Sequence, residues 1–162
     1  MAAATPESGP DPYAEAAAAG NLELVRRLEG NRKAAPAPPG AAGARYNVNA
    51  ALIAAAKGGH LAVVEYLCGL PEGRGVDPSA DDNAAIQCAA KNGHLAVVQY
   101  LCGLPGGRGV DPSANDNHAI QLAATYGQLA VVEYLCGLPE ARGVDPSAKD
   151  NYAIRWAAAN GH

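Results

Sequence analysis

Phenylalanine is missing altogether, and a single Trp and a single Met serve 162 residues. A rounded globule of this length buries its area under large side chains, so a core of that kind is excluded. Stacked thin layers of small residues can replace it. Positive charge is also scarce: 12 Lys and Arg face 16 Asp and Glu, the formal net charge is −4, and basic residues never run beyond two together. The field that draws a protein to a phosphate backbone is therefore missing, which excludes nucleic acid as the expected partner. No apolar run approaches the roughly 20 residues that span a bilayer. The opening MAAATPESGPDPY also has no basic stretch followed by an apolar one. A soluble intracellular chain, in the cytoplasm or the nucleus, with no membrane partner is expected.

Four cysteines could make two bridges, but Cys68, Cys102 and Cys136 recur at one spacing inside a repeated phrase. Their positions thus follow the repeat, and a reducing compartment fits better. Equivalent cysteines of adjacent units should lie about 8 to 10 Å apart, beyond the ~7 Å Cα limit for a disulfide. Cys88 stands where Ala54, Leu122 and Trp156 stand in other copies, and reads as a space filler. His94 and Cys102 are eight residues apart on one helix, about 12 Å along its axis, too far to share a zinc ion. His60, His94 and His162 follow a glycine, and Asn21 and Gln128 replace them in two copies. Amides hydrogen-bond as imidazole does but cannot act as general bases, so these positions read as polar turns. No catalytic residue, cofactor or metal is expected.

Three segments align without gaps at a period of 34 residues: 49–82, 83–116 and 117–150. The middle one reads NAAIQCAAKNGHLAVVQYLCGLPGGRGVDPSAND, and a fourth copy runs from Asn151 to His162. Ile86, Ala89 and Ala90 share one face of a short helix, which Gly93 ends. Val97, Val98, Leu101 and Cys102 stripe a second helix, and Pro105 and the glycines after it turn the chain. Helices of roughly 8 to 10 residues fall below the ~12 to 15 that persist alone in water, so neighbouring copies must stabilise them. Alanine lets the first helices approach closely, which makes each pair a wedge and the stack curved.

The phrase A-A-x-x-G-H-x-x-V-V-x-x-L followed by G-V-D-x-x-A-x-D resembles the ankyrin repeat, from about Pro12 to the end apart from residues 31–45. The resemblance implies an all-α solenoid of stacked antiparallel helix pairs with extended connecting loops, and a role in protein binding. Two departures stand out. The family's T-P-L-H start is replaced by AAIQ, HAIQ and YAIR at residues 84, 118 and 152, so Asp82/Asn83, Asp116/Asn117 and Asp150/Asn151 are expected to cap the first helices. The loop after the second helix is longer and the one before the first helix shorter, which predicts an extended GVDPSA segment in place of a β-hairpin.

The expected organisation is a disordered tail at 1–11, an irregular capping repeat at 12–29 and a Pro/Ala/Gly-rich loop at 30–48, followed by three full repeats and a partial one at 151–162. The last leaves Ile154, Trp156 and Ala157 without part of their cover. A fragment or truncated copy of a longer array, or a terminus that pairs with another chain, is expected.

Binding residues are sought where the copies disagree, because stacking fixes the framework and leaves exposed positions free. Those positions are Lys57, Lys91, Asn92, Thr125, Tyr126 and Asn160 before the glycines, Asp81, Asn115 and Lys149 in the loops, and His118 and Tyr152 at the helix starts. The resemblance implies that they line a concave face, with Tyr126, His118 and Tyr152 as anchors. Arg74, Arg108 and Arg142 each precede an Asp by three residues and read as loop-ordering pairs, or as a ladder for an acidic partner. A protein or peptide partner and no small-molecule substrate are expected. The alternatives are a structural spacer in a longer array, and a metal or enzymatic protein.

Overall fold

The computed structural model describes residues 11–34, 47–71, 76–105 and 110–162. The N-terminal tail up to residue 10, most of the Pro/Ala/Gly-rich loop, Arg74 and Arg108 lie outside the described residues. Helices α1 (Pro12–Ala18) and α2 (Leu22–Ala34) form the first unit, and α3 (Val48–Gly58) and α4 (Leu61–Cys68) the second. They are followed by α5 (Ala80–Lys91), α6 (Leu95–Cys102), α7 (Ala114–Thr125), α8 (Leu129–Cys136) and α9 (Ala148–Ala159). There is no strand among the described residues. The ordered elements reach further than composition suggested, for α2 continues to Ala34 and Asp11 caps α1 by accepting from the Tyr13 N–H. Asp11 also accepts from the Asn47 N–H at 2.7 Å, tying the two units together.

The apolar period decides what is buried. Ile86, Ala89 and Ala90 of α5 and Val97, Val98 and Leu101 of α6 are at most 1 % exposed, and their equivalents in α3 and α4 behave alike. Alanine dominates the first-helix share, so α1, α3, α5, α7 and α9 pack on one another over much more of their length than α2, α4, α6 and α8 do. That difference supplies the wedge which curves the stack toward its first helices.

Two ladders hold the units in register. Asn49, Asn83 and Asn117 each accept, through Oδ1, the backbone N–H of Asp77, Asp111 and Asp145 in the loop that closes the same repeat and leads into the next first helix, at 2.9, 2.9 and 2.7 Å. At the inter-helix turns, Nε2 of His60 and of His94 lie 2.9 and 3.0 Å from the carbonyls of Ala18 and Lys57, and Gln128 donates to Lys91 O. Each such side chain lies across the turn glycine of the unit before, as His94 does on Gly59 and Gln128 on Gly93.

Asn83 and Asn117 do not cap their helices, contrary to the sequence expectation, whereas Asn47 caps α3 by accepting from the Ala50 N–H. Asp81, Asp82 and Asn83 have φ of 52, 55 and 65°, a left-handed turn repeated at 115–117 and 149–151. Asn83 and Asn117 therefore spend their carboxamide oxygens on the loop that leads into the next first helix. Asn and Asp tolerate this conformation better than other residues with a side chain, which explains the D-N ending of each loop. Before the turn, Asp77 accepts from both the N–H and the hydroxyl of Ser79, closing an Asx turn around Pro78.

At the far end the cover is incomplete. Ile154 is 61 % exposed where Ile86 and Ile120 are at most 1 %, and Leu129 and Trp156 are exposed as well.

Candidate functional site

Each first helix has two faces. Positions 85, 86, 89 and 90 of α5 are buried, while Ala84, Cys88 and Lys91, spaced i, i+4 and i+7, remain half-buried. The same stripe reads Ala50, Ala54 and Lys57 in α3, His118, Leu122 and Thr125 in α7, and Tyr152, Trp156 and Ala159 in α9. It lies on the layer of first helices, which pack more closely than the second helices do. Cys88 and its equivalent Leu122 are thus half-buried where full enclosure was expected of a space filler, and Trp156 is exposed. Sequence reasoning missed these although the helical spacing from residue 84 to Lys91 passes through them, because a hydrophobic residue between alanines reads as core.

The predicted residues fall into two groups. Lys57, Lys91, Asn92, Thr125, Tyr126 and Asn160 gather at the C-terminal ends of the first helices. There the Lys91 ammonium lies 4.7 Å from the centroid of the Tyr126 ring, and Asn160 donates to Thr125 O at 3.0 Å. Asn92 turns its amide onto Cys88 O at 2.8 Å, closing its own helix. Asp81, Asn115 and Lys149 sit at the opposite ends, in the left-handed turns, and Lys149 pairs with Asp116 at 3.2 Å on the exposed edge. His118 and Tyr152 start the helices beside them, and the Tyr152 ring lies 5.6 Å from that of Trp156. The loop and helix-end positions are therefore two separate edges with the stripe between them.

Arg142 does not pair with Asp145. Its guanidinium donates to Cys102 O at 2.9 Å and Val110 O at 3.4 Å, tethering its loop to the unit before. Asp145 is satisfied by Ser147 instead, and the hydroxyl and N–H of that serine hold its carboxyl below the usual range. A hollow of about 260 Å³ beside Arg142 contains only groups already committed to such bonds, including Asp111 and Ser113. On the outer layer, burial pushes the Cys102 thiol up, more than Arg142 and the bond from the Tyr134 hydroxyl bring it down. Among the described residues no group of three or more His, Cys, Asp or Glu is placed to hold a metal ion. No helix among them is long and apolar enough to cross a membrane.

Paired helices, repeated at a fixed period and presenting a changing stripe over an unchanging core, define a repeat solenoid of the kind that works as a protein-interaction module. The sequence pattern of the family described as ankyrin repeats, in three copies, matches residues 13–116 and 70–150, and the chain belongs to that family. Among solved structures it is similar to the X-ray structure of an ankyrin repeat family protein from Legionella pneumophila, at 31% identity and a TM-score of 0.61. That match covers 85% of this chain and 40% of the other, so this chain spans 40% of its neighbour's length. No curated protein sequence matches it.

Proposed function

We propose that the chain holds a protein or peptide along the concave side of its first helices, inside the cell and without catalysis or cofactor. One contrast supports this above all. The buried positions of successive units are nearly identical, whereas the stripe beside them changes from half-buried Ala50 and Ala54 to half-buried Tyr152 and exposed Trp156. Stacking constrains the first set and leaves the second free to recognise something. Tyr126, 48 % exposed, adds an aromatic surface beside the stripe.

The test compares intact protein with a His118→Ala, Tyr126→Ala variant in quantitative capture from a lysate. A Glu65→Ala, Glu133→Ala variant on the second helices serves as control, and circular dichroism checks each fold. Loss of the captured set only with the stripe variant is expected. Equal capture by all three would remove the concave face from consideration and leave a spacer.

A further inference from the structure

We infer that the concave stripe is built for an extended acidic peptide, its carboxylates along Lys57 and Lys91 and a bulky apolar side chain seated between Leu122 and Trp156. The inference rests on the concave-face reading and adds the chemistry of the partner.

Charge is the first observation. The chain carries a net charge of −4, yet no Asp or Glu occupies a stripe position on α3, α5, α7 or α9. Lys149, at the loop edge, is neutralised by Asp116, but neither Lys57 nor Lys91 has a carboxylate within ion-pair distance among the described residues. Lys91 rests on the Tyr126 ring, which orients the ammonium without cancelling its charge. The C-terminus of each first helix contributes about half a negative charge, which one full lysine charge outweighs. The helix-end edge of the groove is thus locally positive, while the loop edge, with Asp81, Asp82, Asp116 and Asp150 against Lys149, is not, which fixes the acidic end of the peptide at the lysines. Two lysines are too few to hold a nucleic-acid backbone against that overall charge.

The second observation is a gradient of bulk. At the helix starts and one turn further on, the stripe reads Ala50 and Ala54, Ala84 and Cys88, His118 and Leu122, Tyr152 and Trp156. The groove is lined by small residues beside the lysines and by large apolar ones at the other end, where Trp156 is 45 % exposed. A ligand that matches both ends is charged at one and apolar at the other. First helices about 8 to 10 Å apart place Leu122 two steps, or about 16 to 20 Å, from Lys57. An extended chain covers that in about five or six residues at ~3.3 Å each, and reaches Trp156 in about nine.

The experiment is a selection from a displayed library of random peptides about nine residues long, followed by titration of synthetic winners. Trp156, the sole tryptophan, reports binding by fluorescence. Winners with acidic residues at one end and Leu, Phe or Trp at the other support the inference. So does a loss of about tenfold in affinity with Lys57→Glu, Lys91→Glu protein, a double variant at surface positions whose fold circular dichroism checks. Winners without an acidic surplus, or affinities unmoved by the double variant, would overturn the acidic assignment and leave the interaction module standing. Equal binding of oligothymidylate would overturn the peptide assignment. A library that yields no binder would remove both this inference and the concave-face reading.

Discussion

The side-chain oxygen of Asn83 lies 2.9 Å from the backbone nitrogen of Asp111, in the loop that follows the α5–α6 pair and leads into α7. Asn83 is 7 % exposed and sits at φ 65°, so one residue both bends the chain left-handedly and receives an N–H from the next loop. Asn83→Ala loses the bond and keeps the unfavourable backbone, and should cost about 2 kcal/mol. Asn83→Gly relieves the backbone and should cost less. Asn151→Ala, whose residue is exposed and accepts no such N–H among the described residues, should cost under about 1 kcal/mol. Urea midpoints order the three, and equal losses at 83 and 151 would show that the bond from the Asp111 N–H contributes nothing.

The helix pairs and their core were legible because 34-residue self-similarity and the i, i+3, i+4 apolar pattern are local signals. The left-handed turns were not. D-N at a loop end is equally consistent with a helix cap, and only the neighbouring Asp111 N–H decides where Asn83 points. The stripe was half legible: Lys57 and Lys91 differ visibly from other copies, but Cys88 between alanines looks like core until the packing direction of α5 is known. Arg142 was misread because sequence shows the Asp three residues ahead and not the Cys102 carbonyl of another unit.

Gly59 has φ 73°, and a Cβ added there would lie 2.5 Å from Nδ1 of His94. That imidazole cannot swing away freely, since its other nitrogen is bonded to Lys57 O. Gly161 has φ 77° with open space around it. Gly161→Ala should therefore cost only the backbone strain, about 1 kcal/mol, and Gly59→Ala that plus a lost inter-unit contact, about 2 to 3 kcal/mol. Gly93→Val combines the same penalties and should exceed 1 kcal/mol, roughly the cost of the strained helix end alone. An unchanged midpoint for Gly93→Val in urea would contradict the ladder at the turns.

Ile120 is 1 % exposed and Ile154 is 61 % exposed, though they occupy the same place in successive units. Truncating the first leaves a cavity and should cost about 2 to 4 kcal/mol; truncating the second removes contacts that water already shares, for under about 1 kcal/mol. Thermal melts of Ile120→Ala and Ile154→Ala provide the comparison. Similar melting temperatures would mean that the last helix is covered in solution by something that packs on it.

The cysteines test the layering of the whole stack. Cys68 and Cys102 are 2 % and 4 % exposed, Cys88 is half-buried, and Cys136, at the equivalent site of the last full unit, is open to solvent. Thiol reagents attack the thiolate, so reaction needs both access and ionisation. Burial raises Cys102, which slows it at neutral pH, and Cys102 must also wait for the helices to part. Without denaturant, Cys88 and Cys136 should react first and Cys68 and Cys102 at the rate of opening, with all four titrating in denaturant. The raised thiol also sets an alkaline limit. Above the ordinary value of 9.0 the unfolded chain releases the Cys102 proton while the folded one retains it, so stability should fall as pH rises through that point. A Cys102→Ala variant, compared with the parent by urea midpoint at neutral and alkaline pH, should lose that share of the decline. An identical slope in both proteins would assign the alkaline loss to other groups.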